Sequence, residues 1–503
     1  MEGSRVSSIA SSMPLLASSM ENSRISSCAS NMPLLAEKNM TPQVSEDFWF
    51  SRLATPSPMS TPMVTPRMQR GESEPQSPLA PLPEGFGTVC GSAVTLVSTC
   101  IGTGLLALPF AFATSGVPLG TLLLAAFATW SGLSSYLLCQ CCDWARCYSY
   151  EQVMVAAFGR LGALVLELVV IWLLLGAMTS LLVVTGDALG PPLATAGPSS
   201  RRTILVALDI VLVALPLSWV QSPYSLRYSN AVAVFCTLLV VFMLMARSVA
   251  ESASLGRESL GEMVVELAGS ASSPKCCDLA TLRALPIIML SLGCQVQVPG
   301  VYYELQDRSL QQMGRVLTTV SFTCFGLYNA IAISGLLMAG SLHGGGALGM
   351  VPGNVLDMFP AGDQGALMMR AVMAVAVTLV YPMLCLPCRS TLDHLIFGPI
   401  DIELALTPWA RARHAAETVF LVCLTLLLAT LSGNLASVFG LTGATAGALI
   451  CYMLPPACYL QLRRLQLPKR KKSTRTTAVL CALSLCAMAP LSVAITWQEW
   501  QGA

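Results

Sequence analysis

Long runs of apolar residues, separated by short polar stretches, follow one another from Phe86 almost to the carboxyl terminus. Each run can cross the hydrocarbon core of a bilayer as a helix of roughly 20 residues. The pattern predicts an all-helical fold with about eleven spanning segments. The predicted segments are 87–112, 117–139, 161–187, 202–220, 227–247, 283–303, 316–340, 366–388, 415–433, 436–460 and 476–497.

The first and sixth segments contain residues that interrupt a helix. STCIGTGLLALPF, residues 98–110, carries Gly102 and Gly104 near its centre. PIIMLSLGCQVQVPGVYY, residues 286–303, meets a Ser-Leu-Gly-Cys-Gln stretch and then Pro299. A glycine in a helix interior costs about 1 kcal/mol relative to alanine. Unwound backbone at membrane depth is tolerated only where protein buries it or where it lines a cavity.

Interruptions at corresponding positions of two halves indicate a transporter binding site. Segments 1–5 and 6–10 would then form an inverted repeat. The amino ends of the half-helices would face a carboxylate, and the unwound carbonyls would face an amine or a cation. The alternative is that Gly102 and Gly104 only allow close helix packing. Two interruptions five segments apart favour the binding site.

The first 84 residues form a separate region that is rich in serine and proline. The stretch at 4–17 returns with small changes at 23–36, and several Ser-Pro and Thr-Pro pairs follow. Such a composition cannot bury enough apolar surface to fold, so we predict a disordered tail at 1–84 and a transmembrane domain at 85–503. The basic and serine-rich repeats suit kinases, although an unregulated tail explains the composition equally well.

The distribution of Lys and Arg predicts that the amino terminus lies in the cytosol. With that orientation, most of the 28 Lys and Arg residues fall on the cytosolic side, including the run at 469–475, an anchor for lipid headgroups. Those on the opposite side are Arg201, Arg202, Arg247, Arg257, Lys275, Arg283 and Arg370.

Composition supports a polytopic membrane protein. The 503 residues are 54% hydrophobic and 11% charged, and the mean hydropathy is +0.66. A net charge of +1 offers no overall field for nucleic acid. The sequence shows no nucleophile–base motif, nucleotide loop or cofactor signature, so we predict neither an enzyme nor a cofactor. Cysteines 139, 141, 142 and 147 lack His partners at zinc spacing, which favours buried hydrophobes over a metal site.

Several stretches resemble one known family. They are IGTGLLALPFAFATSG at 101–116, YSYEQVMVAAFGRLG at 148–162, LLVVTGDALG at 181–190, LPLSWVQSPYSLRYSNAVAV at 215–234, LPIIMLSLGCQVQVPGVYYELQDRS at 285–309 and VTLVYPMLCLPCRSTLDHLI at 377–396. These stretches are similar to the amino acid/auxin permease family of the amino acid–polyamine–organocation superfamily. The resemblance implies a leucine-transporter-like fold with eleven helices, a 5+5 inverted repeat and broken helices 1 and 6. It also implies secondary active transport of amino acids by alternating access.

The resemblance implies that the substrate backbone meets both interruptions. Hydroxyls and amides without fixed charge suit a neutral amino acid, although a single Ser or Thr can instead bond back to its own helix. The implied substrate residues are Ser98, Thr99, Cys100, Gly102, Thr103, Gly104, Ser291, Gly293, Cys294 and Gln295.

The coupling ion is predicted from a departure from the family. Sodium-coupled relatives use an Asn in helix 1 and a Thr in helix 8, and the matching positions here are Ser98 and Thr378. Serine is a poorer cation ligand than an amide carbonyl, so we predict proton coupling, with sodium coupling as the alternative. Intramembrane Glu167 and Asp209 are candidates for a proton relay, and a structural partner is the equal alternative.

Two other readings remain open. The same fold could sense an amino acid and signal through the serine-rich tail. A passive channel is disfavoured because no continuous polar stripe is present. The loop at 248–281 lacks an Asn-x-Ser/Thr glycosylation site, which favours a vacuolar, lysosomal or other internal membrane over the plasma membrane.

Overall fold

The structure, a computed structural model, describes residues 87–189, 206, 208–209, 215–218, 227–254, 279–343, 351–360, 362–397, 408–432 and 435–466. The predicted tail, the basic run at 469–475, the last predicted segment and most of the fourth lie outside these described residues. The described backbone is almost entirely helical. Its β-type pairing is one isolated bridge between Gly87 and Leu305.

The described helices are numbered in chain order. They are α1 (Val89–Cys100), α2 (Gly104–Ser115), α3 (Val117–Ala145), α4 (Tyr150–Leu189), α5 (Arg227–Ser254), α6 (Leu279–Ser291), α7 (Val298–Glu304), α8 (Leu310–His343), α9 (Gln364–Phe397), α10 (Pro408–Leu431), α11 (Leu435–Thr442) and α12 (Leu454–Gln466). A helical turn at Leu215–Ser218, a 3₁₀ turn at Val355–Met358 and a π-helical stretch at Gly443–Met453 complete the described elements.

The predicted class, an all-helical polytopic membrane protein, is confirmed. In the described part of the chain, seven helices are long and apolar enough to span a membrane, and α1 with α2 forms one further, bent span. Helix α6 contributes a shorter apolar helix at Leu282–Ser291. The predicted boundary between the ninth and tenth segments is also confirmed, because α10 ends at Leu431 and α11 begins at Leu435. The inverted repeat stays a prediction.

The break in the first span lies between α1 and α2. Helix α1 ends at Cys100, and Ile101 leaves the helical region with φ −75° and ψ 96°. The amides of Leu105 and Leu106 then bond to the carbonyls of Gly102 and Thr103, which opens α2 with tight 3₁₀-type turns. The two half-helices meet at 67°.

The break in the sixth segment lies between α6 and α7. Helix α6 ends at Ser291, and the chain turns through residues 292–297 before α7 begins at Val298. Pro299 lies in the first turn of α7, where its missing N–H removes no helical hydrogen bond. Both predicted interruptions are therefore present in the backbone.

Helix α4 begins earlier than the predicted third segment and is kinked. The helical stretch starts at Tyr150, and Gly159 interrupts it with φ 70° and ψ −162°. Side chains with a Cβ rarely adopt this conformation, so glycine allows the chain to turn there before it crosses the membrane. The predicted segment at 161–187 does not include this entry turn.

Buried tyrosines fasten neighbouring helices to one another. Tyr381 of α9 shares a hydrogen bond of 2.8 Å with Thr425 of α10. The Tyr452 hydroxyl donates to the carbonyl of Met289 in α6 over 3.2 Å. Each ring fills the apolar interior, while each hydroxyl finds a partner.

The cysteine cluster of α3 belongs to this interior. Cys139, Cys141 and Cys142 are fully buried. Within the described ranges, no three His, Cys, Asp or Glu side chains are arranged to hold a metal ion.

The tenth segment contains the π-helical stretch between α11 and α12, and π turns change which carbonyls find partners within the helix. Two of its carbonyls are satisfied from other helices. Tyr150 donates to the carbonyl of Ile450 over 2.9 Å, and Ser134 donates to that of Cys451 over 2.5 Å. Helix α6 also approaches closely, because a Cβ at Gly443 would lie 2.3 Å from the carbonyl oxygen of Pro286.

This close approach predicts different effects for two glycine substitutions. Gly443→Ala should destabilise the protein by about 1–3 kcal/mol, since backbone atoms block the new methyl group. Gly326→Ala in α8 is the matched control, because a Cβ there meets nothing within 4 Å. It should raise stability by about 0.5–1 kcal/mol. Thermal unfolding of the two purified variants in one detergent checks this, and equal shifts would contradict the packing described.

Candidate substrate site

A cavity of about 510 Å³ lies between the two breaks. Residues of α4, α5, α7, α9, α11 and the π-helical stretch form most of the rest of its wall. All of the substrate residues predicted from the family resemblance line this one cavity: Ser98, Thr99, Cys100, Gly102, Thr103, Gly104, Ser291, Gly293, Cys294 and Gln295. The fold therefore brings together positions that are almost 200 residues apart.

The end of α1 presents hydrogen-bond acceptors to the cavity. Ser98 and Thr99 each donate to the carbonyl of Thr95, over 2.8 and 2.9 Å. Ser291 of α6 likewise donates to the carbonyl of Ile287 over 2.7 Å. A hydroxyl that has given its only proton to a carbonyl keeps lone pairs to accept with. These residues line the cavity and also bond back to their own helices.

The start of α2 presents a hydrogen-bond donor to the cavity. Helix α2 begins at Gly104, and the next two amides along the chain already bond to carbonyls three residues earlier. The amide of Gly104 itself has no backbone partner among the described residues. The amino end also carries the positive end of the helix dipole. A Cβ at Gly104 would lie 2.7 Å from Ser291 Oγ and 3.3 Å from Phe439 Cε1. Only a glycine lets α2 approach α6 and α11 this closely.

Tyr328 of α8 connects the two breaks. Its hydroxyl lies 2.8 Å from the carbonyl oxygen of Cys100 and 2.7 Å from that of Ser291. These carbonyls belong to the last residues of α1 and α6, so one donor serves both helix ends. Sequence reasoning missed Tyr328, because nothing local in α8 marks a tyrosine that faces two distant breaks.

Gln295 supports the second break. Its side chain is 1% exposed, and its Oε1 accepts from the amide of Cys294 over 3.0 Å. Its Nε2 donates to Ser131 Oγ over 2.8 Å. The oxygen of this side-chain amide therefore binds the backbone of the break, and its nitrogen binds α3. Gln297 was not predicted, yet it lines the cavity, with Oε1 2.5 Å from Thr99 Oγ1.

Charge is sparse around the cavity. The charged lining residues in the described part of the chain are Glu151 and Glu304, near the start of α4 and at the end of α7. Apolar side chains dominate elsewhere. They include Val170, Leu173, Leu174, Val377, Val380, Leu384, Val438 and Phe439. Next to the breaks, the wall is uncharged.

The structure does not bring the two predicted ion-coupling residues together on the cavity wall. Ser98 lines the cavity, but Thr378 is absent from the described lining. Thr378 Oγ1 donates to the carbonyl of Ala374 over 2.8 Å, and it lies 3.1 and 3.2 Å from the carboxylate oxygens of Asp209. Val377 and Val380 take the positions on α9 that face the cavity.

Both intramembrane carboxylates have partners. Asp209 contacts the hydroxyl of Thr378. Glu167 Oε1 lies 3.4 Å from His394 Nδ1 in α9. The two environments differ, because an imidazole can carry positive charge and a hydroxyl cannot.

The segment at 351–360 packs across the end of the bundle where α9 begins. Val355, Leu356 and Phe359 are buried there. Arg370 of α9 donates from one nitrogen to the carbonyls of Leu356 and Phe359, each over 2.9 Å. No residue of this segment lines the cavity, as far as the described residues show. The cavity instead extends from the breaks to Tyr148 and Glu151, on the side where α4 begins.

An ion pair holds the other edge of this segment. Arg247 of α5 binds the carboxylate of Asp363 through both terminal nitrogens, and its guanidinium stacks on Phe359. Asp363 also accepts from the amides of Gly365 and Ala366, which caps α9. The hydrogen bonds from Arg247 lower the pKa of Asp363 to about 2.

The arrangement defines a polytopic helical membrane protein with a central cavity between two broken helices. The chain belongs to the transmembrane amino acid transporter protein family, whose model matches residues 86–498.

The chain is similar to solute carrier family 38 member 10 from Homo sapiens, at 25% identity over 384 residues, which cover 74% of this chain and 32% of that protein. It is also similar to sodium-coupled neutral amino acid transporter 7 from Xenopus laevis, at 25% identity, with 78% of this chain and 84% of that protein covered. The chain thus spans about a third of the length of member 10.

Two solved structures are similar at 14% identity. One is Mhp1, a nucleobase-cation-symport-1 family transporter, with a TM-score of 0.48 over 83% of this chain and 91% of that one. The other is MhsT in complex with L-phenylalanine, with a TM-score of 0.49 over 83% and 99%.

Gly104 and Gly102 provide a matched test of the site. Gly104→Leu should reduce uptake below roughly one hundredth of the wild-type rate, because the new side chain collides with Ser291 and Phe439 at the place where the substrate must be positioned closely. Gly102→Ala should stay within roughly tenfold of wild type, because its Cβ meets nothing within 4 Å. Initial uptake at equal protein abundance checks both, and wild-type uptake by Gly104→Leu would exclude this site.

The Asp363 pair predicts that the 351–360 segment stays docked in acid. A carboxyl whose pKa is lowered on folding contributes stability above its ordinary pKa of 3.8, and loses it only as the pH falls through about 2. Hydrogen exchange of 351–360, corrected for intrinsic rates, should therefore be alike at about pH 7.5 and about pH 4.5. Asp363→Asn should raise it by roughly fivefold, and exposed Asp307→Asn is the control that should not. Faster exchange at the lower pH in the wild type would contradict the ion pair's role.

Proposed function

We propose that the protein is a secondary active transporter of neutral amino acids that works by alternating access. The observation that carries this proposal is the cavity between the two breaks, whose wall next to the breaks is uncharged, with acceptors at the end of α1 and a donor at the start of α2. Membership of the transmembrane amino acid transporter family supports the same reading.

An amino-acid zwitterion fits this polarity. Its carboxylate would accept from the amide of Gly104, at the positive end of α2. Its ammonium would donate to the oxygens of Ser98 and Thr99, whose own protons already face the carbonyl of Thr95 and, for Thr99, also Gln297 Oε1. The apolar wall of α4, α9 and α11 would take an uncharged side chain.

We propose that protons drive the transport. Ser98 replaces the amide that sodium-coupled relatives place in helix 1, and Thr378 is turned to Asp209 and away from the cavity. A buried carboxylate without a cationic partner is stabilised in the membrane by taking up a proton. Among the described residues, Asp209 has the uncharged Thr378 as its partner, whereas Glu167 has His394. Asp209 is therefore the carboxylate that would carry the coupling proton.

The test is initial uptake of labelled neutral amino acids into proteoliposomes under four conditions: a pH gradient, a sodium gradient, both, and neither. Uptake should follow the pH gradient and persist when choline replaces sodium. Uptake that needs sodium and ignores pH would overturn the proton proposal, though not the transport proposal.

Two variants locate the proton. Asp209→Asn should abolish accumulation driven by a pH gradient, because no titrating group remains at this position, yet it should still exchange internal for external substrate. Glu167→Gln is the matched control, and it should keep accumulation that depends on the pH gradient. Undiminished pH-driven accumulation in Asp209→Asn would exclude Asp209 as the proton carrier.

Sodium coupling is the second candidate. The observation that favours it is the similarity to sodium-coupled neutral amino acid transporter 7. A sodium ion would need several oxygens converging at short distance. Ser98, Thr99, Ser291 and the carbonyls of the first break are among the oxygens on the cavity wall.

The predicted orientation gives the cavity a direction. With the amino terminus in the cytosol, the side where α4 begins is cytosolic, and the cavity extends toward the cytosol. The 351–360 segment then faces the lumen of an internal membrane such as that of a vacuole or lysosome. The tail at 1–84 would remain in the cytosol, within reach of kinases.

A further inference from the structure

Three thiols converge where the two breaks meet α8. Cys100 is the last residue of α1, Cys294 lies in the break between α6 and α7, and Cys324 lies in α8. All three side chains line one small void, so the three thiols lie close together. All three are free cysteines. The transport mechanism proposed above gives no role to these thiols.

A small void of about 10 Å³ adjoins the three thiols. Ser131 and Ser135 of α3 also line it. Ser135 is 0% exposed, and its hydroxyl has no hydrogen-bond partner among the described residues. A buried hydroxyl left unpaired costs about 1–3 kcal/mol. The void has room for about one molecule of the size of water, so the site suits a very small polar ligand.

Two of the thiols can be reached from the cavity. Cys100 and Cys294 line the central cavity as well as the void. They are 7% and 5% exposed, whereas Cys324 is 1% exposed. Cys324 lines the void but not the central cavity. A water-sized reagent that enters the cavity therefore meets Cys100 and Cys294 first.

We propose that Cys100 and Cys294 form a redox site that hydrogen peroxide oxidises to a disulfide. One thiol loses its proton, and its sulfur attacks a peroxide oxygen. The O–O bond breaks, the departing hydroxide takes up the thiol proton and leaves as water, and a sulfenic acid remains. The second thiol attacks that sulfur, the S–S bond forms, the S–O bond breaks, and the hydroxyl leaves with the second thiol's proton as a second water. Two thiols are oxidised and one peroxide is reduced to two waters.

The disulfide would bind the end of α1 to the second break. An S–S bond is about 2.05 Å long, so the two sulfur atoms must come closer together than the atoms of two separate thiols can. Their approach narrows the cavity at the place where the substrate backbone would bind, an effect that rests on the proposed function. The oxidised protein is thus a transporter held inactive, and two glutathione thiols restore it by exchange, with release of glutathione disulfide.

The experiment uses the full chain, reduced and reconstituted in liposomes, with hydrogen peroxide as the probe. Peptide mass spectrometry without reduction should find Cys100 linked to Cys294 after treatment. Initial uptake should fall by at least about fivefold and recover with dithiothreitol. Absence of the Cys100–Cys294 link, including a link of Cys100 to Cys324 in its place, would overturn the proposal.

Serine variants complete the test, each compared with its own untreated uptake. Cys100→Ser and Cys294→Ser should lose the response to peroxide, and Cys324→Ser should keep both the link and the response. Inhibition that persists in Cys294→Ser would overturn the proposal. The link is measured by mass and needs no transport. A protein that forms it but transports no amino acid would therefore refute the proposed function and retain the redox site.

Discussion

A bilayer provides no water to backbone groups that leave a helix, and this protein meets that constraint at its centre through one hydroxyl. Tyr328 lies within hydrogen-bonding distance of the carbonyls of Cys100 and Ser291, the last residues of α1 and α6. The two breaks are thereby held side by side, with α8 as their common support. A cavity can exist between them because Tyr328 of α8 satisfies the backbone at the ends of α1 and α6, and the other side of the unwound backbone lines the cavity.

Side chains of neighbouring helices also satisfy the irregular backbone. Ser131 of α3 accepts a hydrogen bond from the side-chain amide of Gln295 and so holds the second break in place. Ser134 and Tyr150 donate to carbonyls of the π-helical stretch. Polar side chains that would be costly in hydrocarbon are used here as partners for irregular backbone. Gln295 and Tyr150 act in this way and also line the cavity, whose wall combines backbone groups and polar side chains with apolar side chains.

The two ends of the bundle are built differently. Where α9 begins, Arg247 and Arg370 fasten the 351–360 segment through charge-assisted hydrogen bonds. At the other end, Gly87 and the exit of α7 are joined by backbone hydrogen bonds, from Gly87 to Glu304 and from Gln306 to Gly87. The first end is covered, and the cavity reaches toward the second. This asymmetry fits one state of the alternating-access cycle proposed above.

Hydrophobic length and the placement of Gly102, Gly104 and Pro299 were sufficient to predict the spanning helices of the described part of the chain and both breaks, because these are local consequences of chain chemistry. The site residues implied by the family resemblance do line the cavity between the breaks, and their role in binding stays a prediction. The hydrogen-bond partners of those residues were not predictable. Tyr328 and the turn of Gln295 toward α3 depend on which helix faces cross one another. Thr378 has the residue type of an ion ligand, but only the rotation of α9 decides that it faces Asp209 while Val377 faces the cavity. Helix packing is a long-range property, and a single sequence does not specify it position by position.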